Sequence, residues 1–193
     1  MKDKHYEILL LIIVMGIQLY IPGKMIYDNQ RLMNIGREFR FLTTPRDPYD
    51  VIRGKYINLN YRNSVFKTDT TLKWQRGESV YVLLIKGENG YATIGSITRE
   101  PPLSTHDYVK AELMYSLREG DSVKIGINYP FNRYYMDEAK ATAAEDVYMD
   151  AIRDTSQLTY AVVLVKDGSA ILKDVMIGKK PIDEKIDEVI HKK

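Results

Sequence analysis

The chain changes from an irregular segment into a β-strand within the stretch Asp47-Pro48-Tyr49-Asp50-Val51-Ile52-Arg53-Gly54-Lys55-Tyr56-Ile57-Asn58-Leu59-Asn60-Tyr61. Pro48 fixes its own φ angle and keeps the preceding residue out of the helical region, so the first half predicts a turn. Gly54 can adopt backbone conformations that other residues avoid, which suits the last position before a strand. From Tyr56 onward the residues alternate as they do in a strand with one face in the core.

This alternation assigns the side chains to two faces. The predicted core face carries Ile57, Leu59 and Tyr61. The opposite face carries Tyr56, Asn58 and Asn60. Tyr56 is therefore the residue of this strand that we expect on a functional surface, and a half-buried structural ring is the alternative.

Composition limits the classes of function. A chain of 193 residues suits one domain with an appendage, and its net charge of +2 supplies no basic field for a nucleic-acid partner. The absence of cysteine excludes disulfides, thiolate nucleophiles and thiolate metal sites. Only three histidines are present, two of them near the termini. We therefore expect no metal and no cofactor.

Tyrosine is the unusual component, with 15 Tyr against 4 Phe and 1 Trp. Many half-buried strand positions at the edge of the core explain this bias, because tyrosine joins an apolar ring, which can be buried, to a polar hydroxyl, which can contact water. A surface that binds a sugar or a protein is the alternative explanation.

The amino-terminal segment is apolar from Ile8 to Ile21 except at Gln18. Residues 6–27 supply the roughly 20 residues that a bilayer span needs, so we expect an uncleaved membrane anchor. A cleaved signal peptide is the second hypothesis, but no small-residue cleavage site follows the apolar run. A helix buried in a soluble domain is the third.

The predicted orientation follows from Lys2 and Lys4, which favour a cytoplasmic amino terminus. The rest of the chain would then leave the inner membrane for the periplasm or the cell exterior. Helical spacing of apolar residues continues past Pro22 and predicts a helix that ends at Gly36.

Beyond the helix, short alternating segments separated by turn residues predict a mainly β (α+β) fold. The expected architecture is a curved antiparallel sheet or a small β-barrel of about eight strands, with one internal helix over residues 136–153. The predicted organisation is an anchor helix with an exported extension (1–35), a β domain (36–178) and a charged tail (179–193) that is a short helix or disordered. The predicted strands cover residues 38–43, 55–61, 79–85, 91–97, 108–117, 123–129, 158–166 and 170–177.

The motif Gly54-Lys55-Tyr56-Ile57-Asn58-Leu59-Asn60-Tyr61 resembles the signature of the GDYXXLXY protein family. The flanking residues 45–54 resemble the segment that precedes this signature. Farther along, Tyr134-Tyr135 followed by Glu138 resembles the second block of the family, and the strand pair around Asp167-Gly168 resembles its last block. The resemblance implies an amino-terminal membrane helix and an exported domain, and it implies no activity.

Two residues depart from the family pattern. Lys55 stands where the family name places an aspartate, and Tyr49 stands where an arginine is common. No role of that carboxylate is therefore transferred to this chain.

Two groups of residues are the candidate binding site. The first is Asp47, Asp50 and Arg53, which either cap the turn and pair with one another or line a ligand pocket. The second lies before the predicted helix, and its structural alternative is that it caps the mouth of the barrel. This second group consists of Tyr56, which is the tyrosine of the motif, and of Arg133, Tyr134, Tyr135 and Glu138.

Catalytic interpretations find less support. Asp47 and Asp50 lie inside one turn, and no third group favours acid–base chemistry there. A serine–lysine peptidase needs a serine near the anchor, but the earliest one is Ser64, and no isolated lysine faces inward on an apolar strand. His106-Asp107 is an adjacent pair in a loop, and adjacent residues rarely orient each other.

The leading hypothesis is a non-enzymatic interaction or accessory module anchored through residues 6–27, whose partner is an integral membrane protein of the envelope. The second hypothesis is a periplasmic domain that binds a small ligand or a glycan in a pocket near Tyr56 and Tyr134. A membrane-bound hydrolase is the third.

Overall fold

The computed structural model describes residues 2–44, 56–68, 73–103, 106–154 and 157–191. Asp47, Asp50, Arg53, Gly54 and Lys55 lie outside these ranges. The described residues form three helices and eleven strands. In chain order they are α1 (Lys2–Ile35), β1 (Arg37–Leu42), β2 (Tyr56–Asn58), β3 (Val65–Thr68), β4 (Ser79–Lys86), β5 (Ala92–Thr98), β6 (Tyr108–Glu119), β7 (Ser122–Asn128), β8 (Arg133–Tyr135), α2 (Glu138–Arg153), β9 (Thr159–Lys166), β10 (Ser169–Ile177), β11 (Lys180–Pro181) and α3 (Ile182–Ile190).

Helix α1 is long and apolar enough to cross a membrane. It continues through Pro22 and ends at Ile35, directly before Gly36, as the sequence predicts. Its apolar side chains from residue 8 to residue 21 are exposed rather than packed against the domain. This exposure argues against the hypothesis of a buried helix.

The strands form three antiparallel arrangements in the described part of the chain. A four-stranded sheet has the order β1-β9-β10-β11, and a five-stranded sheet has the order β3-β7-β6-β4-β5. A separate two-stranded ribbon pairs β2 with β8. The prediction of a mainly β fold with curved antiparallel sheets is confirmed, and one sheet is nearly closed like a barrel.

Single bridges join these units. Thr43 after β1 pairs with Tyr61 after β2, and Val109 in β6 pairs with Gly168 in the β9–β10 turn. Asp167 and Gly168 both have positive φ angles, of 49° and 81°, as a two-residue hairpin turn requires. The sheets therefore enclose one continuous core.

The core contains the residues that the motif alternation assigns to it. Ile57, Leu59 and Tyr61 are almost completely buried. Strand β9 is buried on both faces from Ala161 to Val165, because it is central in its sheet and α1 crosses its outer side. Residues from all three sheets meet in a single hydrophobic cluster.

Three details differ from the predicted pattern. The uninterrupted apolar run over residues 80–85 predicts a central strand covered on both faces, but only alternate residues of β4 are buried and Ile85 is 48% exposed. Residues 63–77 show no clear periodicity in the sequence, which predicts a loop, yet β3 forms there by pairing with β7. Residues 133–135 form β8 by pairing with β2, a strand that the sequence pattern does not predict. Each short strand exists through pairing with a distant partner, which local periodicity does not reveal.

The carboxyl-terminal segment packs onto the domain. Helix α3 buries Ile182 and Ile186 in the main core, and Lys140 of α2 forms an ion pair of 2.6 Å with Asp187. A short helix and disorder were the two alternatives for residues 179–193, and the structure has a helix over residues 182–190.

Replacing Ile186 with alanine tests this packing. We expect Ile186→Ala to lower the free energy of unfolding by about 2–5 kcal/mol, because the side chain is fully buried and its removal leaves a cavity. Denaturant titration of the full chain in detergent measures the change. Ile190→Ala on the same helix is the matched control, since Ile190 is 40% exposed and should cost less than about 1 kcal/mol. Equal effects would contradict the docking of α3.

Candidate functional site

The β2–β8 ribbon brings the motif strand against the second predicted block. Tyr56 pairs with Tyr135, Ile57 with Tyr134, and Asn58 with Arg133. Directly opposed residues of a strand pair share a face, so the ribbon has an outer and an inner side. The outer side carries Tyr56, Asn58, Arg133 and Tyr135. The inner side carries Ile57 and Tyr134.

The outer side presents a cluster of two aromatic rings and one guanidinium group, which we call the Tyr–Arg–Tyr face (Tyr56, Arg133 and Tyr135). The Tyr56 and Tyr135 ring centroids are 5.5 Å apart and inclined by 55°. The guanidinium carbon of Arg133 lies 5.1 Å from the centroid of the Tyr56 ring. Tyr135 is 64% exposed, so the face is open to a partner.

Electrostatic contacts hold Arg133 in place on this face. A hydrogen bond with the Tyr135 side chain, and then the proximity of Tyr56, raise the pKa of Arg133 above its ordinary value. A cation over an aromatic ring is attracted by the negative face of the ring. The guanidinium of Arg133 therefore interacts with both tyrosine side chains of this face.

The inner side of the ribbon is tied to α3. The Tyr134 hydroxyl donates a hydrogen bond of 2.8 Å to Oδ2 of Asp183, and burial together with this carboxylate raises the pKa of Tyr134. Asp174 of β10 lies nearby, where burial first and the charge of Asp183 second raise its pKa. The hydrogen bond fixes the ribbon relative to the helix behind it.

Tyr61, the last residue of the motif, belongs to the core. The Tyr61 hydroxyl donates a hydrogen bond of 2.7 Å to the carbonyl of Phe131, and burial raises the pKa of Tyr61 well above its ordinary value. Its ring lies among Phe41, Tyr129 and Phe131, with centroid distances between 5.4 and 5.9 Å. These contacts hold together the segments that lead into β2 and β8.

The family comparison agrees with this anatomy. The model of the family described as GDYXXLXY protein matches residues 18–175. The chain belongs to the GDYXXLXY family. The matched region begins inside α1, contains both strands of the ribbon and ends in β10. No curated protein and no solved structure matches the chain.

Beside the ribbon of this GDYXXLXY domain lies an amide-lined cavity of about 260 Å³. Its wall includes both asparagines of the motif, and Nδ2 of Asn132 donates a hydrogen bond of 2.9 Å to Oδ1 of Asn128. Arg133 belongs both to the cavity wall and to the Tyr–Arg–Tyr face. The polar residues that line the cavity are Asn58, Asn60, Ser64, Asn128, Asn132 and Arg133.

The sequence interpretation missed this cavity. Its asparagines come from two segments about 70 residues apart, which only the folded chain brings together. The sequence feature that could have indicated the cavity is the pair Asn58 and Asn60 on the outward face of the motif strand. Asparagine is depleted in strands, so two of them on one face are unusual.

The predicted site residues are partly brought together. Tyr56, Arg133 and Tyr135 form one surface, whereas Tyr134 lies behind it. Glu138 begins α2 directly after this block. The first predicted group, Asp47, Asp50 and Arg53, lies outside the described residues, so its two interpretations remain predictions.

The groups that the ribbon and the cavity present can bind a ligand. Within the described ranges, no cluster of three or more histidine, aspartate or glutamate side chains could hold a metal ion. The carboxylate of Asp107 is engaged by Arg37, at 2.5 Å between Nη1 and Oδ2. Aromatic rings, a guanidinium and amides recognise ligands through stacking and hydrogen bonds.

Two tyrosine-to-phenylalanine variants separate the structural and surface roles. We expect Tyr61→Phe to lower the free energy of unfolding by about 1–3 kcal/mol, because it leaves the buried Phe131 carbonyl without its donor. Tyr135→Phe should change it by less than about 0.5 kcal/mol, since Tyr135 is exposed. Chemical denaturation of both variants measures the difference, and a neutral Tyr61→Phe would refute the structural role.

Proposed function

We propose that this GDYXXLXY-family chain is a single-pass membrane protein whose β domain binds an integral membrane protein of the cell envelope. The domain acts as a non-enzymatic interaction or accessory module. The observation that carries the proposal is the exposed Tyr–Arg–Tyr face on the strand pair formed by the family motif and its second block.

The residue types of this face support a protein partner. Tyrosine and arginine are enriched among the residues that dominate binding energy at protein interfaces. Arg133 lies 5.1 Å from the centroid of the Tyr56 ring, so the guanidinium and the aromatic rings form one amphipathic surface. A surface of this kind suits a partner that supplies both apolar and acidic groups.

The anchor supports a partner in the same membrane. Helix α1 is long and apolar enough to span a bilayer, and β1 begins two residues after its end. Lys2 and Lys4 favour a cytoplasmic amino terminus, which would export the β domain from the inner membrane to the periplasm or the cell exterior. Confinement to one membrane surface raises the effective concentration of a membrane partner.

In-cell photocrosslinking tests the proposal. A photoreactive residue replacing Tyr135 should yield one discrete protein adduct, identified by mass spectrometry, because this side chain projects from the Tyr–Arg–Tyr face. The same residue replacing Leu117, which is 57% exposed on β6, is the control and should not yield that adduct. Adding Arg133→Ala should weaken the adduct at position 135.

The proposal fails if membrane-inserted, folded protein gives no adduct at position 135, or the same adducts at both positions. A discrete adduct with an integral membrane protein identifies the partner directly. A soluble envelope protein as the only adduct would retain the interaction role and reject the membrane partner.

The amide-lined cavity favours a second candidate function, the binding of a neutral glycan. Asparagine side chains both donate and accept hydrogen bonds, which matches the hydroxyl groups of a sugar, and Arg133 extends the cavity towards the Tyr56 ring. The filled hydrophobic core confines such a ligand to the surface cavity.

Saturation-transfer NMR with soluble N-acetylglucosamine oligosaccharides tests the glycan hypothesis. We expect a signal that Asn60→Ala removes, because Asn60 lines the cavity. Asn89→Ala in the β4–β5 turn is the matched control and should keep the signal. No signal with the wild-type chain would reject these glycans as ligands.

A further inference from the structure

The junction between α1 and the β domain contains no flexible linker. Leu32 of α1 is 7% exposed, and the Gly36 N–H donates a hydrogen bond of 2.8 Å to the Leu32 carbonyl. A Cβ atom on Gly36 would lie 2.9 Å from Cβ of Leu164, so the chain passes very close to β9. The helix is therefore fixed against β9 and β10.

This fixed junction sets the height of the domain above the bilayer. Residues 6–27 rise by about 33 Å, which matches a hydrocarbon core of about 30 Å. Residues 28–35 then extend about 12 Å beyond it. The headgroup layer is roughly 5–7 Å thick on each side, so the first turns after residue 27 lie among the lipid headgroups.

The turn between β9 and β10 lies beside the same helical turns. Together they form a cleft of about 240 Å³, which we call the helix–hairpin cleft. Asp28, Arg31, Leu32 and Ile35 line it from α1, and Lys166, Asp167 and Ser169 line it from the hairpin. The cleft is therefore at the level of the lipid phosphates.

The helix–hairpin cleft contains one arginine, Arg31, that can pair with an anionic ligand. Asp28 is paired with Lys24 at 2.5 Å, and Asp167 is paired with Lys166 at 3.7 Å. Within the described residues, no carboxylate lies within ion-pair distance of Arg31. Its guanidinium can bind a phosphate through two parallel hydrogen bonds.

We infer that the helix–hairpin cleft binds the phosphate of an anionic phospholipid headgroup. Arg31 is the principal ligand and the Ser169 hydroxyl is an additional donor, while Lys166 on the hairpin wall is a weaker second cation because it also pairs with Asp167. The inference rests on the proposed membrane anchoring. It adds a second point of attachment, which restricts the tilt of the domain on the membrane.

Lipid retention by the full chain tests this inference. The protein is released into detergent from vesicles of equimolar phosphatidylcholine and phosphatidylglycerol, and native mass spectrometry counts the lipids that stay bound. We expect the chain to retain phosphatidylglycerol in preference to phosphatidylcholine. Arg31→Gln should reduce this retention on the order of fivefold, which corresponds to the loss of one cation near a membrane surface. Lys166→Gln should reduce it less. Lys173→Gln is the matched control, because Lys173 lies on β10 and faces Glu38. This variant should retain as much phosphatidylglycerol as the wild type.

Vesicle flotation separates the two possible failures. If the chain floats with vesicles but retains both lipids equally, or if Arg31→Gln retains as much phosphatidylglycerol as the wild type, the inference is wrong and the anchoring stands. If the chain does not float, the membrane anchoring and the inference fail together. Flotation with selective, Arg31-dependent retention supports both.

Discussion

The burial of Tyr61 is the constraint on which the site depends. Its ring packs against Phe41 and Phe131, and its hydroxyl binds the Phe131 carbonyl, so the segment after β2 is held against the segment before β8. Because side chains alternate along a strand, fixing the core residues also fixes the outward ones. A slip of one residue would turn Tyr56 into the core and Ile57 into solvent. The core contact thus determines which rings meet on the Tyr–Arg–Tyr face.

The two ends of the motif therefore have different roles. Leu59 and Tyr61 belong to the core, whereas Tyr56 lies beside Arg133 and Tyr135 at the surface. The high tyrosine content follows the same division. Buried hydroxyls such as that of Tyr129 bind backbone carbonyls, half-buried Tyr134 binds a carboxylate, and exposed rings remain available for contacts. The structural explanation of the tyrosine bias therefore has examples in this chain, and the binding-surface explanation stays a prediction.

Sequence periodicity predicted the parts of the fold that depend on local pattern. The core alternation at Ile57, the end of α1 at Gly36 and the Asp167–Gly168 turn each follow from a few neighbouring residues. Elements created by distant partners were missed. Strand β3 exists through β7, and β8 exists through β2. The cavity between Asn58 and Asn128 was invisible for the same reason, because neither segment encloses a space by itself.

The junction at Gly36 links the fold to the proposed function. A flexible linker would let the domain search a large volume, with its binding face in any orientation. Here Leu32 packs into the domain and Gly36 lies against Leu164, so a membrane span would impose one height and a narrow range of tilts. Such a domain suits a partner that presents its surface at a matching height in the same membrane. Under the proposed function, a fixed orientation would reduce the entropy lost on binding and would exclude partners at other heights.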